Sequence, residues 1–172
     1  MKIPYSEFNI RECTEGNLDA VLELQEETIA RLPSEDLLRR NSPQMFLSCF
    51  RPPHLSIGAW YGEELAAICI LYVPEDNAED LAHLLDGIEC AGMRTANYKL
   101  CIVREKYRGN GLQYHLGELI ENEARKQGIA LMCTTVSPNN PHSIRNMLSL
   151  GYRYNRTLEK YGYSRNLYYK FL

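Results

Sequence analysis

No stretch of this chain is long and apolar enough to span a bilayer. The longest apolar run, Leu65 to Val73, holds nine residues where about 20 are needed. The first residues, Met1 to Arg11, lack the apolar segment of a secretory signal, so a cytoplasmic protein without membrane association is expected. Positive charge is not in excess: 19 Lys and Arg stand against 22 Asp and Glu, a net charge of -3. No basic face is available for a phosphate backbone, which argues against nucleic acid as a partner. Six cysteines are present, yet none forms a C-x-x-C pair and several lie inside apolar runs, so they read as small hydrophobes rather than a disulfide framework. The four histidines, His54, His83, His115 and His142, have no paired ligand spacing, and no metal site is expected. Neither a repeat nor a linker interrupts residues 1–172, a length suited to one domain with one sizeable core.

What is present alternates between strand and helix patterns. Phe8 to Cys13 reads as a first strand, and Thr14 as the cap of a helix running to about Arg31 through Leu18, Val21, Leu22 and Ile29. Ser34, Leu37 and Leu38 suggest a second short helix, and Gln44 to Phe50 a third that must stop at Pro52-Pro53. Leu55 to Tyr61 and Leu65 to Val73 form a hairpin around Gly62, the second strand apolar enough for a central position. Glu75 to Ala96 carries six acids and one arginine, with Leu81, Leu84, Leu85 and Ile88 at helical spacing. Its plain reading is an amphipathic helix with a solvated acidic face; the alternatives are attraction of a cationic amine or a contact within a homodimer. Tyr98 to Val103 is the fourth strand, Leu112 to Lys126 the main helix, and Ala130 to Val136 the fifth strand, parallel to the fourth because a helical crossover joins them. A short helix at 141–150 and two strands, Arg153 to Tyr161 and Tyr163 to Phe171, close the chain.

The most informative stretch is Tyr98 to Gln113, where an apolar strand gives way to a basic turn (Arg104, Lys106, Arg108), two glycines and a helix. Gly109 and Gly111 permit a sharp bend, and a helix opening at Leu112 would aim unpaired N–H groups at an anion. Tyr114 stands where a dinucleotide fingerprint needs its third glycine, and the Lys of a P-loop is absent. Arg108-Gly109-Asn110-Gly111-Leu112-Gln113 instead resembles the Q/R-x-x-G-x-G/A motif of the GNAT superfamily of N-acyltransferases, with Gln113 in place of the final small residue. Val136 to Ser143, followed by a short helix and Gly151-Tyr152, is similar to the second motif of that family.

The resemblance implies an α/β fold: a mixed, twisted sheet of about seven strands flanked by helices, its fourth and fifth strands parallel and splayed. It implies acetyl-CoA as co-substrate, a primary amine of a small molecule or peptide as acceptor, and direct attack of that amine on the thioester. Main-chain atoms of Cys101, Ile102 and Val103 would hold pantetheine. Arg108, Gly109, Asn110, Gly111, Leu112 and Gln113 would hold the pyrophosphate, and Asn140, Ser143 and Asn146 the other arm. A lysine-like amine must lose its proton at a cost of about 4.6 kcal/mol at pH 7, while positioning can supply about 7 to 11 kcal/mol, so positioning carries the larger share. The Val103 N–H is the implied oxyanion donor. Met147 occupies the place where many relatives carry a tyrosine that protonates the leaving thiolate; Tyr161 and Tyr163 are the candidates to replace it. No carboxylate lies within Leu100 to Val103, Glu105 is expected in solvent and Glu64 in a hairpin turn, and His54 and His83 are conceivable bases on the acceptor side. A Cys133–His142 nucleophilic pair is disfavoured by the apolar setting of the thiol. The alternative reading is a GNAT-like protein that binds acyl-CoA without transferring the acyl group.

Overall fold

Seven strands form, with β3 buried on both faces and the edge strands β1 and β6 largely exposed: β1 (Asn9–Glu12), β2 (Leu55–Tyr61), β3 (Glu64–Tyr72), β4 (Thr95–Val103), β5 (Leu131–Val136), β6 (Arg153–Lys160) and β7 (Tyr163–Phe171). The computed structural model describes residues 1–75 and 78–172. The strands join in one sheet ordered β1-β2-β3-β4-β5-β7-β6. β4 and β5 pair in parallel and the other neighbours antiparallel, so the sheet is mixed, as the resemblance implied.

Helices cover both faces. On one, α1 (Leu18–Arg31) and α2 (Pro43–Cys49) bring Val21, Leu24 and Phe46 against Leu65, Ile68, Ile70, Leu100 and Ile102. On the other, α3 (Leu112–Lys126) lays Leu112, Leu116, Ile120 and Ala124 along the sheet, and α4 (Pro141–Ser149) adds Met147. Each leucine or isoleucine so buried contributes about 1.5 to 3 kcal/mol of transfer free energy. Gly117 lets α3 approach the end of α4, since a Cβ there would fall 2.8 Å from Leu150 Cδ1.

Two expected helices shrink to single turns. Ser34 to Leu38 forms only a 3-10 turn at Glu35–Leu37, and the acidic segment only one at Leu81–Leu84. Leu81 and Ala82 are drawn into a small cluster with Leu131, Cys133 and Leu167, Asp80 caps the Ala82 N–H, and Gly87 then adopts φ 68. One buried turn satisfies these leucines; a longer helix would gain little, because isolated short helices are marginal without a packed face. One of the six acids, Asp76, lies with Asn77 outside the described residues. Among the described residues no helix is long and apolar enough to cross a membrane, and no group of three His, Cys, Asp or Glu is placed to hold a metal ion.

Candidate functional site

β4 and β5 pair only at Thr95↔Leu131, Ala96↔Met132 and Asn97↔Cys133. Beyond that point the strands part, β4 continuing to Val103 and β5 to Val136, and a cavity of about 950 Å³ opens between them. The first unmatched carbonyl, that of Tyr98, accepts a 2.8 Å hydrogen bond from Thr134 Oγ1. The hydroxyl thus closes the root of the fork.

Backbone parity decides which groups remain open along β4. The Arg104 N–H donates to Ala66 O at 2.8 Å, and N–H directions alternate along a strand, so Ile102 also turns its amide to β3. Cys101 and Val103 therefore face the fork with their main chain. The expectation that all three would offer backbone groups there is corrected for Ile102, which still lines the cavity. The β3–β4 register shifts between Ile70↔Leu100 and Leu71↔Tyr98, leaving Lys99 as the extra residue of a bulge.

Past Val103 the chain turns at Glu105–Tyr107 and reaches Gly109 and Gly111, at φ 80 and 74. Only glycine adopts this conformation without strain. Gly111 precedes α3 without a side-chain cap, so the N–H groups of Leu112, Gln113 and Tyr114 are left for an external partner at the positive end of the helix dipole. Arg108, Gly109, Gly111, Leu112 and Gln113 line the cavity. Asn110 is different. Its Oδ1 accepts from Ile3 N at 2.9 Å and its Nδ2 donates to Tyr107 O at 3.0 Å, so this side chain pins the N-terminal segment to the loop instead of meeting a ligand. Lys2 Nζ adds a 2.6 Å bond to Gly109 O.

On the opposite arm, Asn140, Ser143 and Asn146 line the cavity. Asn140 Oδ1 accepts from Ser143 N at 3.1 Å and caps α4, an occupation that competes with ligand binding. Asn146 lines the cavity, and its Nδ2 is buried without a partner. Met147 is buried there as well, and His142 and Arg145 stand nearby, 2.9 Å apart.

The far end is lined by Leu32, Leu37, Leu38, Arg39, Lys99, Tyr161 and Arg165. Tyr161 occupies the β6–β7 turn at φ 58, its ring 3.8 Å beneath the Arg39 guanidinium. Burial pushes its phenol above the ordinary value, with Arg39 pulling the other way, so it remains protonated as an acid must. Tyr163 lies outside the cavity lining and donates to Glu35 Oε2 at 3.2 Å. The two tyrosines were equal candidates in sequence; the turn separates them.

Other candidates fall away from the cleft. His54 Nδ1 accepts from Val73 N at 3.0 Å, and His83 is exposed beside Asp80. Neither lines the cavity. Glu105 pairs with Arg31 at 2.5 Å, and Glu64, beside the β2–β3 turn, is bound by Lys106 at 2.6 Å and by the Tyr107 hydroxyl at 2.6 Å. Cys133 is buried on the wall of a separate cluster, and burial drives its thiol far above the reactive range. Among the described residues Glu79 is the one carboxylate on the cavity wall. Sequence reasoning missed Lys99, Arg39, Arg165 and Thr134; the single available signal was a lysine set inside the otherwise apolar run Y-K-L-C-I-V.

Comparison with known proteins agrees with this geometry. No curated protein matches in sequence. Among solved structures, yncA from Salmonella typhimurium, determined with its cofactor acetyl-CoA, superimposes with a TM-score of 0.71 at 16% identity over 96% of this chain and 94% of that one. The ribosomal-protein-alanine N-acetyltransferase of Brucella melitensis gives 0.72 at 18% over 95% and 99%. An N-acetyltransferase from Staphylococcus aureus Mu50 gives 0.73 at 15% over 95% and 98%. At such identities the likeness establishes the fold. The sequence profile of the Acetyltransferase (GNAT) family matches residues 18–152, well over half of the molecule, and the chain belongs to that family.

Proposed function

We propose that this protein transfers an acetyl group from acetyl-CoA to a primary amine of a small molecule or peptide. The observation that carries the reading is the fork itself: unpaired β4 main chain leads directly to an uncapped helix N-terminus, which suits an amide-bearing arm ending in a pyrophosphate. Bound acetyl-CoA supplies an acyl group activated as a thioester. Cys101 and Val103 would hold the pantetheine amides, as a neighbouring strand does. The N–H groups of Leu112, Gln113 and Tyr114 would receive the pyrophosphate, each charge-assisted bond worth about 1.5 to 3 kcal/mol. Asn146 Nδ2, buried without a partner, is a further donor suited to the same ligand.

The protein's own groups then have separable tasks. The Val103 N–H faces the fork and would stabilise negative charge on the reacting carbonyl oxygen. Four tyrosines line the cavity. The Tyr98 hydroxyl is buried, that of Tyr107 donates to Glu64 and Tyr114 lies on the first turn of α3, so Tyr161 would protonate the departing thiolate; Met147 offers no proton there. With Glu79 exposed and no histidine at the acceptor end, deprotonation of the amine falls largely to solvent, and positioning does most of the catalytic work.

Release of free thiol from acetyl-CoA, followed across a panel of primary amines, tests the reading. Amine-dependent release is expected. Binding of acetyl-CoA with release no faster than hydrolysis would favour a non-catalytic acyl-CoA-binding protein instead, and failure of coenzyme A to raise the Tm would remove both.

A further inference from the structure

Three cations meet at the end of the cleft remote from the glycine loop. Lys99 projects from the β4 bulge, about four residues and hence about 13 Å along the strand from Val103. Its amine lies 5.0 Å from the Tyr72 ring and it is half-buried. Arg39 comes from the segment after α1 and rests on Tyr161. Arg165, on β7, donates to Asp36 O at 2.9 Å and to Thr135 O at 3.0 Å, both neutral carbonyls. All three line the cavity, and among the described residues none makes an ion pair within 4.0 Å.

Such an arrangement is costly in the empty protein. Burial lowers the affinity of Lys99 and of Arg165 for their protons, and the neighbouring Arg39 lowers both further. Glu79 partly offsets this at Lys99, and Asp36 at Arg165. Asp36, however, already accepts hydrogen bonds from Ser137 Oγ at 2.8 Å and Asn139 Nδ2 at 3.3 Å. Arg39 is exposed, but Lys99 and Arg165 are half-buried without a close counter-ion, and such cations recover lost hydration when an anion arrives. Arg165 uses three of its five N–H donors on the protein and Arg39 presents a planar fork, the geometry that suits a carboxylate.

We infer that the acceptor amine belongs to a molecule that also carries a carboxylate, an amino acid or a compound built like one, and that Lys99, Arg39 and Arg165 receive that carboxylate while the amine faces the fork. This rests on the acetyl-transfer reading above. It also runs against the alternative reading in which the acids of residues 75–96 attract a cationic acceptor: of those described, only Glu79 reaches the cavity wall, which Arg39, Lys99 and Arg165 share.

The test uses the full chain with acetyl-CoA, comparing L-phenylalanine with phenethylamine, L-tyrosine with tyramine and L-lysine with cadaverine. The carboxylate-bearing member of at least one pair should have kcat/KM higher by about tenfold or more, the worth of one charge-assisted contact. Lys99→Met and Arg39→Gln should each bring that ratio toward one, and Lys99→Arg should keep much of it. The thermal shift given by coenzyme A shows whether each variant is folded with its donor site formed. Equal turnover of both members of every pair would overturn this inference and leave acetyl transfer standing. So would a preference that survives Lys99→Met and Arg39→Gln together, or a preference for succinyl-CoA over acetyl-CoA with the neutral amines, which would place the anion on the acyl group. No thiol release with any amine would overturn both readings.

Discussion

Thr134 Oγ1 donates to the Tyr98 carbonyl across 2.8 Å, at the last point where β4 and β5 remain neighbours. Both residues are buried, so this one side chain satisfies a main-chain acceptor that the parting strands would otherwise orphan. Thr134→Val keeps the shape and removes the donor. It should cost about 1 to 3 kcal/mol of stability, the penalty of an unpaired buried carbonyl, and raise KM for acetyl-CoA as the fork loosens. A chemical denaturation midpoint equal to wild type would show that the hydroxyl is not needed to close the fork.

Gly111 sits at φ 74, where an added Cβ would touch only His115 at 3.4 Å, an ordinary contact. The difficulty of Gly111→Ala is thus conformational. A loss of about 1 kcal/mol in stability is expected, together with weaker coenzyme A binding, because relief of the strain reorients the first turn of α3. Isothermal titration with coenzyme A checks the second part; an unchanged Kd would mean that the loop does not hold the pyrophosphate.

Asn146 offers the opposite signature. Its buried Nδ2 lacks a partner, so Asn146→Leu removes an uncompensated polar group and should leave the ligand-free Tm equal to or above that of wild type. The same change should shrink the Tm increase produced by coenzyme A. A variant with reduced ligand-free stability and an undiminished shift would mean that Asn146 serves packing alone.

Asp36 ties the loop after α1 to the fork. Hydrogen bonds from Ser34, Ser137 and Asn139 hold its carboxyl down at about 2, below the usual 3.8. A carboxylate depressed on folding adds stability that is present above its unfolded pKa and lost as pH falls toward its folded one, so the affected window runs from about 4 to 2. Asp36→Asn should therefore lose less stability over that window than wild type, measured as urea midpoints at successive pH values. Parallel curves would indicate that these bonds do not persist in solution.

The order of elements was legible because it rests on local rules. The apolar stripe Leu112, Leu116, Ile120 and Ala124 specifies α3, and the two left-handed glycines before it mark its leading turn without reference to any distant residue. The β6–β7 pair was equally plain from Gly162 and its flanking tyrosines. Helices predicted at Ser34 to Leu38 and Leu81 to Ile88 were not realised: the first turn buries no residue and the second only Leu81 and Ala82, and periodicity carries no information about how much of a face will find a partner. The same limit governs the site. Sequence alone located the glycine turn before α3 and the methionine at position 147. Only the tertiary structure decided that Asn110 faces the N-terminal segment, that Tyr161 and not Tyr163 lines the cleft, and that Lys99, Arg39 and Arg165, drawn from three distant segments, line it together. Strand parity, a bulge and one left-handed turn residue make those choices, and each depends on which strands pair, a property of the whole sheet and not of any segment within it.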